Sequence, residues 1–170
     1  LELFDDLTVE EHLRCACDQQ SARHPLADLY RVRSETLPAA ARQTMAAFGF
    51  EALLDSHPWQ LSFGQRRLLG IARAAAAAPS ILLLDEPAAG LDSNESEELG
   101  ALISGLARDW GMGVLLIEHD MQLVMNYSDR VVVLDAGAEL ASGTPAEVSR
   151  DPSVIGAYLG AGAPSELPDA

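Results

Sequence analysis

The chain has 170 residues, 48% of them hydrophobic, enough for one substantial core in one domain or one large piece of a domain. Twenty-six acidic residues against 11 basic ones give a formal net charge of -15, so the surface repels phosphate backbones and nucleic acid is not an expected partner. Every basic residue is an arginine, and no lysine occurs anywhere.

Cys15 and Cys17 sit two apart, with no second pair and no histidines at metal-ligand spacing. They read as reduced, partly buried cytosolic thiols rather than a zinc site. No apolar run reaches the roughly 18 residues needed to cross a bilayer, because Arg73 and Pro79 interrupt the Ala-rich stretch before Ile81. A soluble chain is expected. It opens on Leu1, without an initiator methionine or a signal-peptide pattern, which points to a piece of a longer protein.

In chain order, Thr8 followed by Glu11 is a capping-box signature that opens a helix through Leu13 and Cys17, with Pro25 ending or following it. A second helix is expected at about 37–48, closed by Gly49, and His57-Pro58 falls in a connecting loop. Residues 1–60 thus read as all-helical. From residue 61 the pattern alternates. Helices are expected at about 63–77, 95–109 and 121–127, with short apolar strands at 81–84, 114–117 and 131–134. Strands this apolar require cover on both faces, so they predict a parallel sheet between helices, the α/β class. A further strand at about 139–142 leads to Thr144-Pro145 and Asp151-Pro152, each an N-cap followed by a first-turn proline. The tail, 161–170, is expected to fray.

Four places could carry chemistry. Ser62, at the start of a long helix with Gln65 three residues on, makes a local capping box. The same helix start could equally be an anion site, since it presents unpaired N–H groups and a positive dipole end, and Gly64 lets a phosphate come close. Ile81-Leu82-Leu83-Leu84-Asp85-Glu86-Pro87 runs a buried strand into two adjacent carboxylates at its carboxyl end, where open α/β sheets bind ligands. Asp85 is suited to hold Mg²⁺, usually through its waters, and Glu86 to polarise an attacking water. Asp92 could be simply the N-cap of the next helix, with Glu95 completing its box. Glu118-His119-Asp120 follows another strand and, if the sheet is parallel, sets an imidazole beside the first acids.

These motifs, in this order, resemble those of ATP-binding-cassette (ABC) ATPases. Leu61-Ser62-Phe63-Gly64-Gln65 is similar to the signature, with Phe63 in place of the usual glycine. Residues 81–86 resemble Walker B with its glutamate, residues 88–92 the D-loop, and His119 the switch histidine. Leu3-Phe4-Asp5-Asp6-Leu7-Thr8-Val9, the Ala88-Ala89-Gly90 variant, Glu118-His119-Asp120-Met121, Gly143-Thr144-Pro145 and the segment 155–160 look like the branched-chain amino acid importers. The resemblance implies a P-loop NTPase-type three-layer sandwich with an incomplete parallel sheet. It also implies a helical subdomain at 1–60 that docks a permease, and the signature helix plus the carboxy-terminal part of the nucleotide-binding core at 61–160.

It further implies ATP and Mg²⁺ as cofactors. Ser62, Phe63, Gly64 and Gln65 would serve the ATP held by a second ATPase subunit, Asp85 the metal, Glu86 as general base, Asp92 communication across the dimer, and His119 the γ-phosphate. The partners implied are that second subunit, membrane permease subunits and, indirectly, a solute-binding protein, at the cytoplasmic face of the membrane. A P-loop needs a lysine, so these 170 residues do not contain one. Its strand lies inside the sheet in that family, so a gap is expected between the strand before His119 and the next. DNA-repair ATPases share these motifs, but the heptads of their coiled-coil arms are missing upstream of the signature. A non-hydrolytic permease-binding module is the other alternative.

Overall fold

The computed structural model describes residues 3–18 and 37–159. Pro25 and the tail lie outside them. The chain divides into two units, Leu1–Glu118 and His119–Ala170.

In the first unit, helix α1 (Val9–Asp18) starts as expected. Thr8 N donates to Glu11 Oε2 at 2.9 Å and Glu11 N donates to Thr8 Oγ1 at 3.3 Å, so each side chain satisfies an orphan amide of the other's backbone. His12 is fully buried behind this cap. Its Nδ1 lies 2.8 Å from the Thr8 carbonyl, and its Nε2 accepts the Phe4 N–H at 3.0 Å, which fixes a neutral ring with the proton on Nδ1. Phe4 stacks on the imidazole, and the Arg73 guanidinium lies 5.6 Å from the Phe4 ring centre.

Helix α2 (Ala39–Ala47) ends in a Schellman motif. Gly49, at φ +68°, donates to the Ala46 carbonyl, and Phe50 N donates to the Met45 carbonyl at 3.0 Å. Phe50 is then buried. His57-Pro58 leads into a 3-10 turn, Pro58–Gln60, rather than a plain loop, because the Gln60 side chain folds back to accept the His57 N–H at 2.8 Å.

Helix α3 (Phe63–Ala76) packs against both earlier helices, and its Leu69, Ile71, Ala72 and Ala75 are all buried. Its small residues permit the close approach. Strands β1 (Ile81–Asp85) and β2 (Gly113–Ile117) pair in parallel, with Ile81 opposite Gly113 and Asp85 opposite Ile117. The crossover between them is α4 (Ser93–Trp110), stopped by Gly111 in the left-handed region. Leu82 and Leu84 face inward. On the opposite face Ile81, Leu83, Leu115 and Ile117 are 64%, 69%, 57% and 58% exposed, so the pair is covered on one side only.

In the second unit, α5 (Met121–Tyr127) precedes β3 (Val131–Asp135) and β4 (Ala138–Gly143). The sequence pattern puts 131–134 in the parallel sheet. Instead β3 pairs antiparallel with β4. The cause is local: Ala136 and Gly137, at φ +48° and +81°, form a two-residue turn whose left-handed backbone returns the chain directly. Among the described residues, β2 and β3 fall in separate two-stranded sheets, β1-β2 and β3-β4. Helices α6 (Pro145–Val148) and α7 (Pro152–Val154) are N-capped by Thr144 and Asp151, as their proline pairs predict. Val131, Val133, Val148 and Val154 make the core of this unit, with Val124, Met125 and Leu140 packed against it.

Candidate functional site

The signature segment sits at the start of α3. Ser62 Oγ accepts the Gln65 N–H at 3.1 Å, and Gln65 Oε1 accepts the Ser62 N–H at 2.9 Å, so the local capping box is closed. Phe63 is exposed, and its ring covers Gly90, where a Cβ would come within 3.0 Å of it. Gly90 also has φ +82°, so both the backbone and the ring call for glycine there. Gly64 is buried against α4, and a Cβ on it would meet Glu95 Oε1 at 2.9 Å.

Glu95 is not free to retreat. Its Oε2 accepts the Asp92 N–H at 3.0 Å, while Asp92 Oδ1 accepts the Asn94 and Glu95 amides at 2.9 Å each, a second closed capping box. The signature and the turn at 88–92 thus interlock through two glycines. A cleft of about 410 Å³ borders Ser62, Gly64 and Gln65, with Leu68, Leu91 and Leu99 on its walls and Glu95 and Glu98 beside them. Those carboxylates make the cleft itself a poor anion site.

Asp85 ends β1, exposed at the strand tip. Glu86 follows at φ +43°, a left-handed conformation that costs a non-glycine residue on the order of 1–2 kcal/mol. It is held there by its surroundings. Glu86 N donates to the Ile117 carbonyl at 2.8 Å, extending the parallel ladder by one step, and the Glu86 carbonyl accepts from Ala89 N at 3.2 Å. Arg67, reaching from α3, donates through Nη2 to the Glu86 carbonyl and through Nε to the Pro87 carbonyl at 2.9 Å. Glu118 Oε1 accepts the Ala88 N–H at 2.8 Å.

Two residues that sequence reasoning passed over, Arg67 and Glu118, therefore fix the acidic turn. Glu118 lay inside a noted motif, but Arg67 gave no local signal, because its partners are about 20 residues away. His119 is exposed and opens the second unit, and Asp120 beside it caps α5 by accepting from Gln122 N at 2.9 Å. The first unit carries Ser62, Phe63, Gly64, Gln65, Asp85, Glu86 and Asp92, with the signature against the turn at 88–92 and the acids at the β1 tip. His119 belongs to the other unit.

Among the described residues no three His, Cys, Asp or Glu side chains cluster as a metal cage. Mg²⁺ is usually held by one or two carboxylates together with waters and substrate phosphates, so the single exposed Asp85 carboxylate fits that mode. Among the same residues no helix is long and apolar enough to cross a membrane.

A parallel strand pair with paired acids at its tip, and a separate capped, glycine-containing helix start, are the two features a family comparison has to account for. The family described as ABC transporter matches residues 1–89, over half the chain, and the chain belongs to that family. A second description, branched-chain amino acid ATP-binding cassette transporter, matches residues 139–164.

Within the family, the relatives it resembles are of the branched-chain amino acid type. It is 40% identical over 170 residues to the high-affinity branched-chain amino acid transport ATP-binding protein BraF of Pseudomonas aeruginosa, covering 94% of this chain and 65% of that protein. It is 42% identical over 166 residues to LivG, of the same description, from Salmonella typhimurium, with the same coverage. The chain thus spans 65% of the length of these curated relatives. The crystal structure of the ADP conformation of an ATP-binding cassette of an ABC transporter superposes with a TM-score of 0.70 at 26% identity, covering 92% of this chain and 64% of that one. Its fold is shared.

Proposed function

We propose that the intact protein is the ATP-hydrolysing subunit of an importer for branched-chain amino acids or a related solute. The observation that carries this reading is the delivery of Asp85 and Glu86 to the tip of β1, with the Glu86 backbone held in a left-handed turn. Glu86 is the general base that takes a proton from the attacking water, a role worth typically about 10²- to 10⁴-fold. Asp85 would hold Mg²⁺, which supplies charge neutralisation to the phosphates when bound.

Ser62, Phe63, Gly64 and Gln65 serve the γ-phosphate of ATP on a second subunit. To do so, Ser62 and Gln65 trade their mutual capping bonds for bonds to phosphate. Asp92 communicates across that dimer, and His119 stabilises charge developing on the γ-phosphate. Helices α1 and α2, in the proposed subdomain at 1–60, dock the permease, and the assembly sits at the cytoplasmic face of the membrane with a solute-binding protein outside. Solute choice lies with the permease and the binding protein. The net charge of -15 favours these partners over nucleic acid.

The exposed apolar face of Ile81, Leu83, Leu115 and Ile117 supports a further point: in the intact ATPase this face is covered by the part of the fold that holds the phosphate loop. The 170-residue chain alone is therefore expected to show no ATP hydrolysis above background. The full reading is tested with the intact protein and its permease in membrane vesicles, where ATP should drive leucine uptake. Turnover by the 170-residue chain alone, or uptake that is indifferent to ATP, contradicts it.

A further inference from the structure

We propose that Arg67 is a positioning residue for hydrolysis: from the signature helix it pins the carbonyls of Glu86 and Pro87 and so sets the direction of the Glu86 carboxylate. This rests on the reading of Glu86 as the general base. Glu86 occupies a left-handed conformation at φ +43° that its own side chain disfavours, so its orientation depends on what holds the peptide on either side. The Ile117 and Ala89 bonds come from the strand tip and from the turn itself. Arg67 differs from them, because it reaches across from α3 and grips two consecutive carbonyls, through Nη2 and Nε. A guanidinium presents those donors in one rigid fork, so it fixes the rotation of the Glu86-Pro87 unit, whereas a single-point donor would leave it free to swivel.

The placement also couples two halves of the chemistry. Ser62 and Arg67 are five residues apart on one helix, about 7.5 Å along its axis. A shift of α3, when its N-terminus exchanges capping bonds for a phosphate, moves the Arg67 fork and with it the Glu86 peptide. Occupancy at one nucleotide thereby reaches the base that serves another.

The test is steady-state ATP hydrolysis by the full-length protein with four substitutions: Arg67→Met, Arg67→Lys, the neighbouring exposed Arg66→Met as a charge control, and Glu86→Gln. Arg67→Met is expected to lower kcat by between about tenfold and a hundredfold, with KM for ATP unchanged within about threefold, as misplacement of a reacting group does. Arg67→Lys should recover part of that loss, and Arg66→Met should leave kcat within about twofold. The proposal is overturned if Arg67→Met spares kcat, raises KM in proportion, or is matched by Arg66→Met. Should the Met variant not fold, the Lys variant decides: an intermediate kcat supports the clamp, and a wild-type kcat overturns it. If Glu86→Gln itself keeps normal turnover, the general-base reading fails, which is distinct from an inactive Glu86→Gln beside a fully active Arg67→Met.

Discussion

The parallel pair β1-β2 and the hairpin β3-β4 both include an apolar strand with an exposed face, yet they reach their partner strands in different ways. The hairpin is local: two residues join its strands, and its inward valines meet Val148 and Val154 a few residues further on. The parallel pair needs the 18-residue helix α4 as its crossover and leaves a four-residue apolar face open to solvent. A hairpin can close on itself, whereas a parallel strand cannot return without crossing over and cannot bury both faces without a second layer. The acids lie on the dependent pair. Strand tips joined by long crossovers leave free turns where polar groups can gather, and here Arg67 and Glu118 converge on that turn.

The sharpest way to break this contrast is through the buried side of β1. Leu84→Ala is expected to cost about 2–5 kcal/mol in chemical denaturation. In the 170-residue chain the exposed Leu83→Ala should fall within about 0.5 kcal/mol. In the full-length ATPase the Leu83 substitution is expected to become costly too, because that face is then covered, and equal indifference in both would refute the covering. Next comes the interlock of signature and turn. Gly90→Ala forces a Cβ toward the Phe63 ring at φ +82° and is expected to destabilise by about 1–3 kcal/mol, read from the denaturation midpoint.

The two units should also differ in acid. In the first, burial holds the His12 imidazole below its ordinary value of 6.5, with the Arg73 guanidinium adding to the effect and the Thr8 carbonyl and Glu11 opposing it. The unfolded chain then binds the proton more readily than the folded one, so stability is full above about pH 6.5 and declines as pH falls below it. In the second unit, hydrogen bonds from Thr144 hold Glu147 below its ordinary 4.5, and bonds from Ser153 hold Asp151 below 3.8. Their contribution is present above those values and is lost only as pH falls through the lowered ones. Hydrogen exchange between pH 7 and 5 should therefore loosen α1 before the hairpin, and His12→Gln should flatten that difference. The smallest effect is expected at the hairpin turn, where Ala136→Gly relieves a left-handed alanine and should stabilise by at most about 1 kcal/mol.

Local chemistry was the most legible part of the sequence. The capping boxes at Thr8, Ser62 and Asp92, the glycine stop at Gly49 and the proline-led starts at Thr144 and Asp151 all form as their residues dictate, because each needs only neighbours within a few positions. The antiparallel pairing of the strand at 131–134 with β4 is not legible in its own residues, because apolar runs do not encode direction. The Ala136-Gly137 pair between two strand patterns carried the missing signal, although alanine is an unusual turn residue. At the candidate site the acids and the signature were readable as types in order. The grip of Arg67 and Glu118 was not, since long-range hydrogen bonds leave no periodic trace.

The most direct measurement is made on the intact protein with Glu86→Gln, recording ATP affinity and turnover together. The expected result is ATP binding close to the wild type with turnover lower by about two to four orders of magnitude. Near-normal hydrolysis by that variant, with binding intact, would remove Glu86 from the chemistry and contradict the assignment of the β1 tip as the catalytic centre.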